Sequence, residues 1–117
     1  MSNRISESKR AAIDWLELID TGQYADGWNN SGEVFRDAVS CADWEKNIQT
    51  VFDKLGAVKD RKESKSFPLE SSDGLPDGDY IVNEFKTVFS KGGSLGERVT
   101  TNESADGSAK VVGYYII

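Results

Sequence analysis

Apolar residues recur at helical spacing through the first half of the chain and at strand spacing through the second. From Ile5 to Ile19, the residues Ala11, Ala12, Trp15, Leu16, Leu18 and Ile19 fall on one side of a helix, with Asp14 and Glu17 opposite. Thr21 and Gly22 close that helix, since glycine takes the left-handed conformation that ends a helix without strain. Tyr24 to Trp28 predicts a helical turn presenting Tyr24 and Trp28 together by their i, i+4 spacing. Glu33 to Val39 predicts a short second helix, with Val34 and Phe35 as its buried residues. Ser40 followed by Asp43 is a capping pattern, and it starts a third helix at Cys41. In that helix Cys41, Trp44, Ile48, Val51, Phe52 and Leu55 occupy about 100° of arc, and Gly56 terminates it.

After Gly56 the pattern becomes that of strands: Ala57 to Phe67, Asp79 to Ser90, Glu97 to Asn102 and Ala109 to Ile117. Glycine-bearing turn clusters separate them at residues 71–78, 91–94 and 105–108. Short connections between successive strands predict an antiparallel meander. Helices placed before strands make the class α+β, with three N-terminal helices packed on a four-stranded sheet.

Composition fits this picture and narrows the chemistry. The 117 residues suit one domain over residues 1–117, with residues 1–4 expected to be a disordered tail. Hydrophobic residues make up 38% and charged residues 29%, the balance of a folded chain rather than a disordered one. No window reaches the roughly 18 apolar residues of a membrane span, so membrane insertion is not expected. Met1 to Arg10 lacks the apolar core of a signal peptide, so the expected compartment is cytoplasmic, or exported and periplasmic if a leader has been removed. One cysteine and no histidine exclude an intramolecular disulfide, the histidine-dependent nucleophilic arrangements and the common zinc sites from a single chain. No cofactor, no metal ligands and no catalytic residues are assigned. A net charge of −6 argues against nucleic acid as a partner.

The order of motifs resembles a family of small bacterial proteins known as domain of unknown function 4019. The resemblance is carried by Ala12 to Leu16, Asp20 to Trp28, Trp44, Leu55 to Arg61, Pro76 to Phe89, Asp106-Gly107 and Val111 to Ile116. It implies a curved antiparallel sheet packed by helices, similar to the nuclear-transport-factor-2-like and cystatin-like folds, and it implies no activity. Family members often carry an export signal. Ala109 stands where a Trp is usual, which is expected to leave space for neighbours, ligand or water.

Cone-like folds leave part of their concave face unfilled, so aromatic residues are candidates to line a pocket for a small apolar ligand. Helical spacing alone accounts for Trp15, Trp44 and Phe52 as core. Tyr24 and Trp28 are less well explained by packing and, with Trp15 and Asn83, form the candidate ligand-binding set. Along Asp79 to Ser90 the more apolar face carries Ile81, Asn83, Phe85, Thr87 and Phe89. If that face meets the helices, Asn83 must be hydrogen-bonded or face a cavity. Cys41, inside the apolar arc, reads as a buried and inert thiol. Lys59, Arg61, Lys62 and Lys65 read as the solvated, lysine-protected edge of the sheet.

The last strand is apolar or aromatic in both alternating phases from Val111 to Ile117, apart from Gly113, so helices on one side leave the other face uncovered. A homodimer through the sheet is one way to cover it. These features point to a non-enzymatic ligand-binding or protein-interaction module. The alternative is a small enzyme of ketosteroid-isomerase-like type, using a carboxylate and a Tyr in an apolar pocket.

Overall fold

The computed structural model describes residues 4–70, 78–104 and 106–117. Helices α1 (Arg4–Asp20), α2 (Tyr24–Asn29), α3 (Glu33–Ala38) and α4 (Cys41–Leu55) precede strands β1 (Val58–Leu69), β2 (Tyr80–Phe89), β3 (Gly93–Glu103) and β4 (Ala109–Ile116). The class is α+β as expected, but the described residues form four helices rather than three. The turn expected at Tyr24 to Trp28 is completed as a six-residue helix because Asn30 N–H reaches the Asp26 carbonyl. The turn cluster at 71–78 lies outside the described residues except for Gly78, as does Ala105 of the last cluster.

The strands form one antiparallel sheet in the order β1-β2-β3-β4. Pairing β2 with β3 from Phe89↔Gly93 to Tyr80↔Asn102 sets which side chains share a face. Ile81, Asn83, Phe85, Thr87 and Phe89 all point at the helices and are buried, as the strand phase predicted. Glu97, Val99 and Thr101 of β3 and Val111 and Tyr114 of β4 share this inner face. Register shifts interrupt β1 twice and the β3–β4 pair once, at Thr100/Thr101. The bulge leaves Val112 without a β3 partner and keeps Val111 and Tyr114 on the inner side.

Helix α1 lays Ala12, Trp15, Leu16 and Ile19 on this face, where they join Phe35, Trp44, Ile48, Phe85, Val99 and Val111 in the core. Each Trp also fixes the stretch between α1 and α4 by its indole N–H. Trp15 donates to the Gly27 carbonyl, Trp28 to Val39 and Trp44 to Tyr24, each at 2.8 Å. The chain between α1 and α4 is thereby pinned without needing long helices of its own. Ser40 caps α4 by accepting from Asp43 N–H at 3.2 Å, as the capping pattern predicted. At the other end Gly56 adopts φ +79°, and the β2–β3 turn donates Lys91 and Gly92 N–H to the Leu55 carbonyl.

Candidate functional site

Four strands and the end of α1 bring charged and hydroxylic side chains together beneath the helices. Arg61 of β1 sits opposite Thr87 of β2, and the β2–β3 register sets Glu97 opposite Phe85. Glu97 is wholly buried, with no side-chain exposure. Its Oε1 accepts from Arg61 Nε at 2.7 Å and from the Thr87 hydroxyl at 2.5 Å. Its Oε2 accepts from Arg61 Nη2 at 3.2 Å and from the Tyr114 hydroxyl. Asp20, at the end of α1, takes the rest of the guanidinium, accepting from Nη1 at 2.7 Å and Nη2 at 3.1 Å. One planar cation thus bridges two carboxylates with its forked donors, a geometry available to Arg and not to Lys.

The electrostatics follow from this enclosure. Burial pulls the Arg61 guanidinium down, but hydrogen bonds and charge from Asp20 and Glu97 outweigh it and raise it further above its ordinary value. Burial and then the neighbouring Glu97 charge push the Tyr114 phenol well up, so it remains a donor throughout the physiological range. Both oxygens of Glu97 are engaged, and its carboxylate is held by a cation and two hydroxyls.

A second polar row lies toward the other end of α1. Asn83 donates to the Ser8 hydroxyl at 2.9 Å and to the Val99 carbonyl at 3.3 Å, and accepts from Ser66 at 2.8 Å. Ser8 and Thr101 share a 2.6 Å hydrogen bond. Of the two readings open for Asn83, the structure has the hydrogen-bonded one.

The other candidate ligand-binding residues are placed in packing positions. Tyr24 stacks on Phe52 with ring centroids 6.3 Å apart, and Trp28 packs half-buried against the core. Trp15 is in ring contact with Phe35, Trp44 and Tyr114. Ala109 borders a cavity of about 20 Å³ with Arg4, Glu7, Ser8 and Thr101, room for a water, and a second opening of about 240 Å³ with Asp14, Trp15 and Val111.

Two expectations need correction. Cys41 is half-buried rather than buried, and its thiol donates to Glu45 Oε1 at 3.6 Å; its desolvation, followed by the Glu45 charge and hydrogen bond, raises its pKa. Arg61 is not a solvated edge residue, because the β1 register turns it inward while Lys59, Lys62 and Lys65 stay exposed. The signal for its partner was present in the turn at 91–94. A tight hairpin there pairs Phe89 with Gly93 and so places Glu97 across from Phe85 on the inner face.

An apolar groove of about 430 Å³ lies between α3, α4 and β4. Phe35, Val39, Ile48 and Val51 line its helical side, and Tyr114, Tyr115 and Ile116 its strand side. Its strand wall has unpaired backbone. Ile117 exchanges N–H and C=O bonds with Gly96 of β3, so by antiparallel alternation Tyr115 also turns toward β3. The N–H and C=O groups of Tyr114 and Ile116 therefore point away from the sheet, along its open edge. Farther back, Gly32 N–H covers the Val111 carbonyl at 2.7 Å, so α3 protects only the beginning of this edge.

No curated protein matches this sequence. A family model described as a protein of unknown function covers residues 11–114, from the middle of α1 to Tyr114 of β4. The span includes Asp20, Arg61, Glu97 and Tyr114, and the chain belongs to this family, DUF4019.

Proposed function

We propose that the chain is a non-enzymatic protein-interaction module, built on a cone-like frame of the nuclear-transport-factor-2 or cystatin type, which takes an extended, uncharged segment of protein in the groove beside β4. The carrying observation is the coincidence of an apolar groove with outward-pointing N–H and C=O groups at Tyr114 and Ile116. An added strand satisfies those groups as a ladder does, and its alternate side chains enter the groove. The groove's named lining residues carry no charge, which favours an uncharged occupant. Helices on one face of a bulged antiparallel meander support the cone-like frame.

The enzymatic alternative has its acid and phenol in Glu97 and Tyr114. Their enclosure with Arg61 and Thr87 favours a structural role for the pair. Hydrogen exchange on dilute protein, with and without a lysine-flanked β-forming peptide, tests the reading. Slower exchange at Tyr114 and Ile116 on peptide addition is the expected result. Binding that leaves both amides unchanged, or no binding, overturns it.

A further inference from the structure

The two edges of the sheet differ in how they are defended. β1 carries Lys59, Asp60, Lys62, Glu63 and Lys65 around the inward Arg61, and its pairing is broken by two register shifts. Charges and irregularity of this kind discourage the addition of another strand. From Val111 to Ile117, β4 and the residue after it carry no charged side chain and no proline. Tyr115 and Ile117 are 44% and 54% exposed, large values for such side chains on a sheet whose other edge is charged. An edge left open in this way invites a partner strand.

Building on the interaction reading above, we infer that the occupant of the groove is β4 of a second copy of this chain, paired antiparallel about a two-fold axis through Tyr115. The register follows from the backbone. Tyr114 and Ile116 are the residues whose N–H and C=O groups face outward, and an antiparallel strand centred on Tyr115 sets Tyr114 of each copy opposite Ile116 of the other. Each such pair exchanges bonds in both directions, so the unpaired groups of one copy meet the complementary groups of the next. On the inner face a Tyr lies opposite an Ile, and on the outer face the Tyr115 rings meet across the axis while Ile117 falls opposite Gly113, the one position in this stretch without a side chain. The same surface patch serves both copies, as a two-fold interface requires. With β1 defended, each chain offers one open edge, and pairing consumes both, so assembly closes at two. The sole charge in β4, Lys110, lies outside the paired stretch.

Sedimentation and native mass spectrometry between about 1 and about 100 µM protein test this, because a dimer must dissociate on dilution. The expected result is a reversible dimer that tightens with added salt, which screens the −6 charge of each copy. Ile116→Pro removes an outward N–H while sparing the β3 ladder, and Ile117→Lys adds a charge at the exposed seam. Each is expected to weaken the dimer at least tenfold. Unchanged far-ultraviolet circular dichroism in Ile117→Lys shows that the loss is not unfolding. A single-chain mass over the whole range, or a dimer that neither substitution weakens, overturns the inference. A monomer whose Tyr114 and Ile116 amides are still protected by the added peptide places the strand of another protein in the groove; the self-pairing then fails and the interaction reading stands. A monomer whose edge the peptide does not protect removes both.

Discussion

Tyr114 of β4 donates its hydroxyl to Glu97 of β3, its diagonal neighbour on the inner face, and so joins the edge strand to the buried charge cluster. The phenol ring also packs on Trp15 at a centroid distance of 5.6 Å and forms part of the groove wall. One side chain is therefore shared by the core, the polar cluster and the proposed contact surface.

Glu97→Ala leaves Arg61 with Asp20 alone and strands the hydroxyls of Thr87 and Tyr114. Removing one partner from a buried ion pair costs about 3–5 kcal/mol. Urea denaturation followed by Trp fluorescence should show a loss of that order. Glu97→Gln, which keeps an acceptor for Tyr114 or Thr87, should lose less. Equal, small losses for both would mean that the cluster contributes little to stability.

The raised pKa of Tyr114 sets an alkaline limit. Unfolded, its phenol ionises near pH 10 or so, whereas folded it holds its proton beyond that. The contribution to stability is fully present below about pH 10 and is lost as the pH rises above it, because the unfolded state then releases a proton that the folded state keeps. Stability measured from pH 9 upward should fall, and Tyr114→Phe should make the fall shallower. The same substitution at neutral pH should cost about 1.5–3 kcal/mol for the lost hydrogen bond to a charged acceptor.

Thr100 sits on the outer face, 1% exposed, and its hydroxyl has no hydrogen-bond partner among the described residues. Thr100→Val keeps the shape and removes an unpaired polar atom, so it should stabilise the protein by roughly 1 kcal/mol. A lower denaturation midpoint for this variant would contradict the burial of an unpaired hydroxyl.

Gly56 holds φ +79°, and a methyl there would lie 2.1 Å from Ser90 Oγ, the atom that accepts Ala57 N–H. Gly56→Ala combines left-handed strain with loss of that bond, and about 2–3 kcal/mol is expected. Thermal unfolding should show it as a clear drop in midpoint. Gly22→Ala has equal φ and open space around it, and should cost only the backbone strain of about 1 kcal/mol.

The helix and strand boundaries were legible where local chemistry sets them. Ser40 caps as its spacing with Asp43 predicts, and Gly22 and Gly56 end helices at positive φ. The alternation in β2 correctly turned Asn83 inward. Arg61 was hidden because its neighbours Lys59 and Lys62 share its charge, and only the strand register separates an inward guanidinium from outward ammonium groups. Glu97 was hidden for a related reason: as one acid among 20 Asp and Glu, its burial depends on partners from β1, β2 and β4. The groove has no local signature, since its walls come from α3, α4 and β4 and its opening depends on where the helices stop.

Helix α1 is tied to the sheet by polar contacts near both ends, Ser8 to Asn83 and Thr101, and Asp20 to Arg61. At 1.5 Å per residue these ties are about 18 Å apart along the axis. Apolar contacts resist separation but are tolerant of sliding, whereas hydrogen bonds at two distant points are lost together if the helix shifts by one turn. The ties therefore act as end stops that set the axial position of the helix, and the ridge of Ala12, Trp15, Leu16 and Ile19 between them supplies the adhesion. Truncating a residue of that ridge weakens the grip at unchanged alignment; removing an end stop frees the helix to settle at a different offset on the same sheet.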